Sequence, residues 1–449
     1  MNFQYSYLEL PEIFYREWQP EESYKREPLI FNEDLARELG ILGGLPQATR
    51  PFAQAYAGFQ FGHFNMLGDG RAVMLGELIV PNLRRFDVQL KGAGRTPFAR
   101  GADGNAALGP MLREYIVGEF MAAAGVPTTR ALAITTTGKE VLRERPLIGA
   151  VLTRVATSHI RVGTFDFARA YASFDELKAL ADYTIWRHFC ELLEESDGKY
   201  LQLLRRVAKS QAELIAGWMG LGFVHGVMNT DNMAISGETL DYGPCAFLDG
   251  YNPAAVFSFI DKQGRYSYKN QPAIAAWNLS RLAEALLPLI APEREIAIEL
   301  VTKEIDLFPE YYMNNWLKVM RRKMGLKGER EDDHDLAQEL LDAMAEYSLD
   351  FTETFRSFEF PELREWRRKW IRRLNSAGQN AEQATELLRR NNPAIIPRNH
   401  KVEQALTAAE TGDLQPVHDL VNALRRPYIE SAQYSKPKVV EKYVTFCGT

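Results

Sequence analysis

The spacing of apolar and polar residues changes period several times along the chain, and each change predicts an element. In NEDLARELG (32–40), Asn32 is an N-cap and Gly40 a stop, which predicts a short helix. Residues 51–100 switch to strand-like alternation rich in glycine and aromatics, with Gly68-Asp69-Gly70 between NML and RAVMLGEL reading as a hairpin turn. Val88 and Leu90 alternate with Gln89 and Lys91, which puts Lys91 at a strand end before Gly-Ala-Gly. LREYIVGEFMAAAG then carries Leu112, Tyr115, Ile116 and Phe120 on one helical face. Residues 131–161 predict a second hairpin, turning at Thr137-Gly138-Lys139. From Ser173, which forms a capping box with Glu176, a helix is expected through Cys190, followed by a second over 200–219. The run from Phe223 to Asp249 predicts two short buried strands with polar connections and a tight turn at Ser236-Gly237. A long loop leads to the apolar helix QPAIAAWNLSRLAEALLPLI, and amphipathic helices follow to about residue 425, broken by NNPAIIPRNH (391–400).

This order predicts an α+β protein in four parts: an N-terminal extension (1–50), a sheet-rich lobe (51–165), a helical lobe (166–292) and a helical C-terminal region (293–449). The apolar share of 46% and charged share of 25% are ordinary for a soluble globular protein, and 449 residues can bury a large core. A net charge of -6 gives no global attraction to nucleic acid or to a membrane surface. The basic runs Arg321-Arg322-Lys323 and Arg367-Arg368-Lys369 are expected as solvated helix faces. No apolar run reads as long enough to span a bilayer, and the first residues lack an apolar signal core, so a cytoplasmic location is the expectation. Three cysteines argue against a disulfide framework or a zinc site. Cys190 is expected in the core, Cys245 beside the polar cluster and Cys447 on a free tail.

The chemistry concentrates in FVHGVMNTDNMAISGETLDYGPCAFLD. Hard cations such as Mg²⁺ take carboxylate and amide oxygens and complete their shell with substrate phosphates. Asn232 and Asp241 can supply that pair from opposite sides of the Ser236-Gly237 turn. The protein kinase signature has the same grammar: a loop from His to Asn, then a metal-binding Asp followed by an aromatic and Gly. Here these are His225, Asn232 and Asp241-Tyr242-Gly243. The kinase base would fall at position 227, which is Val227 and cannot accept a proton. Upstream, strand Lys91 and helix Glu114 match the kinase device for holding nucleotide phosphates. Arg154 and Arg161, suited to gripping phosphate, are additional to the kinase set.

Together AYAGFQFGHFNMLGDGRA, VQLKGAGRTPFARGADG, HGVMNTDNM, LDYGP and NPAIIPRNH resemble the selenoprotein O family, pseudokinase-like protein adenylyltransferases, in its cysteine-containing bacterial form. The resemblance implies a bilobal protein-kinase-like fold that binds ATP in reversed orientation and transfers AMP. It implies that Gly68, Gly70, Arg71, Lys91, Asp103, Gly104, Arg154, Arg161 and Asp241 line the nucleotide site. It makes Asp231 the proton acceptor and Asn232 and Asp241 the ligands of Mg²⁺ or Mn²⁺.

The expected function is transfer of AMP from ATP to Ser, Thr or Tyr hydroxyls of proteins with release of pyrophosphate; UMP transfer from UTP is a close variant. A kinase using Asp231 as a displaced base, or a silent nucleotide-binding scaffold, are the alternatives. Protein substrates and ATP are the expected partners, with no nucleic acid and no membrane. A disulfide between Cys245 and Cys447, tethering the tail across the catalytic segment, is a candidate redox switch.

Overall fold

The computed structural model describes residues 2–22, 27–194, 198–437 and 443–445. The alternating segments assemble into one antiparallel sheet. Its strands are β1 (Tyr15–Glu17), β2 (Glu27–Phe31), β3 (Phe52–Gln54), then, after the separate pair β4 (Ala57–Gln60) and β5 (His63–Met66), β6 (Ala72–Ile79), β7 (Arg85–Lys91), β8 (Ala106–Ala107), β9 (Arg130–Leu142) and β10 (Pro146–Ala156). The order is β1-β3-β6-β7-β10-β9-β2, with β8 added to β10. In this register Lys91 lies opposite Leu152 and Ala72, and Arg154 lies opposite Gln89.

Three expectations about this lobe need correction. Residues 1–50 are not an appendage, because β1 and β2 form the two edges of the sheet. Gly68-Asp69-Gly70 does not close a hairpin: β5 pairs back on β4, and the glycine turn carries the chain from that small sheet into β6. The β9–β10 hairpin turns at 143–145, not at Thr137–Lys139. There β9 runs on through Gly138, whose φ of 70° is absorbed by a register shift between Ile148 and Ala150.

After α1 (Glu33–Glu38), capped by Asn32 Oδ1 accepting from Leu35 N at 3.2 Å, the sheet is backed by α2 (Leu108–Ala123). Helix α2 buries Leu112, Tyr115, Ile116 and Phe120 and packs against β9 and β10. The helical lobe follows with α3 (Val162–Tyr171), α4 (Phe174–His188), α5 (Lys199–Leu221) and α6 (Gln271–Ile290). Helix α4 opens on the Ser173–Glu176 capping box and stops at His188. Cys190 therefore lies beyond the helix and is exposed, not in the core. Residues Tyr268–Ile290 are long and apolar enough, by length and composition, to cross a membrane, contrary to the expectation from the sequence. Here they pack against α3 and α5, and the side chains of Gln271 and Asn278 bond the carbonyls of Phe223 and Met228.

The remaining helices are α7 (Arg294–Asp306), α8 (Phe308–Lys323), α9 (Asp333–Glu346), α10 (Phe351–Ser357), α11 (Arg364–Ser376), α12 (Ala381–Asn391), α13 (Asn399–Glu410) and α14 (Gln415–Leu424). Lys323 is not on a solvated face: it is buried, donates to Asn392 Oδ1 at 2.8 Å, and burial pulls its ammonium down to about 7. The break NNPAIIPRNH is a clamp. Buried Arg398 pairs with Asp249 at 2.8 Å and Asp350 at 2.5 Å, and Asn399 bonds the backbone of Phe247 in both directions. The C-terminal helices thereby grip the end of the polar cluster that the sequence singled out.

Candidate active site

The segment between the lobes is built on two short strands, β11 (Phe223–Val224) and β12 (Ala246–Phe247), which pair with each other and present everything between them as connection. Helix α5 delivers the chain into β11 through Gly222, whose φ of 69° ends the helix. Backbone bonds then sew the connection to the sheet-rich lobe. Val162 N donates to Met233 O and Ile235 N to Ile160 O, both at 2.9 Å, and Thr129 N donates to Thr239 O at 3.1 Å. The turn expected at Ser236-Gly237 lies inside a Met233–Thr239 bridge.

His225 braces this connection from the wall of the cleft described below. It is buried, stacked on Trp218 at 5.3 Å, and set between Leu240 O (3.2 Å) and Val227 N (3.4 Å). Burial lowers its pKa, so the neutral ring donates from Nε2 and accepts at Nδ1. Asn232 spends its amide nitrogen on Val227 O at 3.0 Å, which orients its oxygen. Asp241 follows with φ 68°, a left-handed conformation uncommon outside glycine and typical of constrained functional positions.

A cleft of about 440 Å³ brings together most of the residues expected from the sequence: Gly68, Gly70, Arg71, Asp103, Gly104, Arg161, Asp231, Asn232 and Asp241. Lys91 and Glu114 line an adjoining cavity that shares Arg71, Asp241 and Gly243 with the cleft. Lys91 Nζ is 2.6 Å from Glu114 Oε2 and also bonds Asp241 Oδ1. Burial pushes the Asp241 carboxyl up, but Lys91, Arg154 and Arg71 outweigh it and hold the group well below the usual range. Arg154 stands behind the cleft wall, 3% exposed, donating to Gln89 Oε1 at 2.6 Å and Glu114 Oε1 at 3.1 Å. It supports the lysine–glutamate pair from beneath.

Asp231 is 8% exposed, and its Oδ1 has no hydrogen-bond partner. Burial raises its carboxyl to about 6, against the opposing charge of Arg161. Glycines make room for it. A Cβ on Gly58 of β4 would overlap the Asp231 carboxylate, and one on Gly163 of α3 would strike Ala57 O and crowd Asp231 Cα. Phe59 N donates to Thr230 Oγ1 at 2.9 Å, locking β4 onto the same loop.

At the mouth, Asp103 is held bidentately by Arg143 (2.9 and 3.3 Å), which lowers its carboxyl pKa. Gly104 packs so tightly against the Gly94 backbone that no side chain fits. Sequence reasoning missed Gly58, Asp69, Gln89 and Arg143. Arg143 sits in a hairpin whose turn was misplaced, and Asp69 was overshadowed by its flanking glycines.

Cys245 is buried, and burial pushes its thiol up to about 12. Cys447 lies outside the described residues. The tail nevertheless reaches this region: Thr445 Oγ1 donates to Pro244 O at 2.8 Å, and Tyr443 OH meets Glu403 (2.6 Å) and Arg113 (3.1 Å).

The chain matches the family described as protein adenylyltransferase SelO over residues 4–360. A protein nucleotidyltransferase YdiU of Bacillus thuringiensis subsp. konkukian is 50% identical, covering 100% of this chain and 98% of its own length. The proteins of the same name from Geobacillus kaustophilus and Anoxybacillus flavithermus are 50% and 51% identical, each covering 100% of this chain and 99% of its own. Among solved structures, ROP2 from Toxoplasma gondii, described as a virulence factor with a protein-kinase fold and no enzymatic activity, overlaps 75% of this chain and 88% of its own at 10% identity. The TM-score of that overlap is 0.27. Motifs, cleft and relatives converge: the chain belongs to the SelO family of protein adenylyltransferases.

Proposed function

We propose that this protein transfers AMP from ATP to Ser, Thr or Tyr hydroxyls of other proteins. The observation that carries this reading is a buried Asp231 carboxylate whose Oδ1 is unpartnered, together with a valine where a kinase keeps its base. Asp231 takes the proton of the acceptor hydroxyl, whose oxygen attacks the α-phosphorus. The bond from that phosphorus to the bridging oxygen breaks, and pyrophosphate leaves. Arg71, Lys91 and Arg161 supply positive charge to the transferring and leaving groups, and the reversed orientation of ATP is what the family resemblance implies.

Asn232 and Asp241 fit a Mg²⁺ or Mn²⁺ ion: one oriented amide oxygen and one carboxylate held ionised, both on the cleft. Among the described residues no group of three or more His, Cys, Asp or Glu side chains could hold a metal alone, so the ion would complete its shell with phosphate oxygens. Bound there, it would neutralise phosphate charge. Intact-mass spectrometry of acceptor proteins after reaction with ATP or UTP tests the reading. An AMP or UMP adduct is expected, and a phosphate adduct would instead assign a kinase with a displaced base.

A further inference from the structure

Asp69, between the two glycines of the turn, is 1% exposed. Its Oδ2 accepts from Gln54 N at 3.0 Å and from the Gln89 amide at 3.2 Å. Its Oδ1 has no hydrogen-bond partner and stands 3.8 Å from Arg161 Nη2. The turn cannot swing away: Gly70 has Phe98 O and Ala99 Cα within 3.0 and 3.2 Å of where a Cβ would be, and Thr96 Oγ1 donates to Asp69 O at 2.6 Å. Arg161 makes three further contacts while still lining the cleft. Nε donates to His159 O at 3.3 Å, Nη1 donates to Asp231 O at 3.1 Å, and the plane lies 4.2 Å over the Tyr56 ring.

These contacts join into one buried chain. Asp231 is held by Arg161, which faces Asp69, and Asp69 takes the amide of Gln89. Gln89 accepts from Arg154, Arg154 donates to Glu114, and Glu114 pairs with Lys91, which reaches Asp241. The backbone of Asp231 at one end of the cleft is thus tied to the metal-binding carboxylate of Asp241 through the sheet beneath it. Asp69 is the anionic link between the two arginines of that chain, and a buried arginine needs such a partner.

We propose that Asp69 is a positioning residue, fixing the guanidinium of Arg161 so that one arginine both holds the Asp231 carbonyl and faces the nucleotide phosphates. The inference rests on the nucleotidyl-transfer reading for its chemistry and on the geometry for its coupling.

The test is a double-mutant cycle of Asp69→Asn and Arg161→Gln. It is read by calorimetric ATP affinity with Mg²⁺ and by pyrophosphate release with a lysate acceptor pool. Each single variant is expected to lower the melting midpoint and, at a temperature where its melt shows it folded, to lose about tenfold in ATP affinity, with the double variant losing about as much affinity as Arg161→Gln alone. Asp69→Asn within about twofold of wild type, or losses that multiply in the double variant, would overturn the proposal. If Asp69→Asn fails to fold, the charge-balanced double variant decides; its failure too would make Asp69 a merely structural residue. Wild type that binds ATP but releases no pyrophosphate would refute nucleotidyl transfer, while the affinity cycle would still decide the role of Asp69.

Discussion

Gly58 illustrates how much of the site rests on a missing side chain. It contributes no chemical group, yet any Cβ there would occupy the space of the Asp231 carboxylate. Gly58→Ala is therefore expected to fold normally and to lower kcat about a hundredfold, because a misplacement of about 1 Å is enough to cost that much. Steady-state kinetics beside a thermal melt would check this, and an alanine variant of wild-type activity would show that Asp231 does not work from the position seen here. Motif spacing in the sequence points to Asn232 and Asp241, and the family resemblance adds Asp231. The sequence could not name Gly58, Gln89 or Arg143, since nothing local distinguishes a glycine under a carboxylate from any other strand glycine. Arg154 shows the opposite failure. Its residue type suits phosphate, but its position on β10 opposite Gln89 places it under the lysine–glutamate pair.

Between elements, the informative feature is the turn of the catalytic connection that reaches the sheet-rich lobe. Glu238 Oε2 accepts from Thr157 N (2.9 Å), Thr157 Oγ1 (2.6 Å) and Ser236 Oγ (3.1 Å), joining that turn to the end of β10. Burial raises the Glu238 carboxyl from 4.5 to about 7. The folded protein then holds this proton more tightly than the unfolded chain. The stability contributed is fully present below pH 4.5 and is lost as the pH rises through about 7. Glu238→Gln keeps the acceptor oxygen and removes the charge. Its melting midpoint should match wild type near pH 4.5 and exceed it by a few degrees at about pH 8; a gap independent of pH would contradict the assignment. Helices were largely legible from period and caps, as at Asn32 and Ser173. The hairpins were less so, because β9 runs through a glycine that resembles a turn, and pairing partners distant in sequence leave no local mark.

For the whole molecule, the first fifty residues edge the sheet and the last helices clamp the catalytic segment through Arg398 and Asn399, so neither end is an accessory. The tail at Tyr443–Thr445 lies beside Pro244, the residue preceding Cys245. In the reduced, folded protein, iodoacetamide followed by peptide mass spectrometry should modify exposed Cys190 and spare Cys245, whose buried thiol is held protonated. Rapid modification of Cys245 would mean that the segment opens readily and would remove the basis for a tether that closes it.

The central claim is that the cleft directs a protein hydroxyl to the α-phosphorus of ATP with Asp231 as base. The most direct measurement incubates wild type and Asp231→Asn with Mg²⁺ or Mn²⁺, a protein acceptor pool, and ATP labelled at either the α- or the γ-phosphate. The account predicts protein-bound label from the α-position only, and its loss in the variant. Label from the γ-position, or α-label that survives without the Asp231 carboxylate, would contradict it.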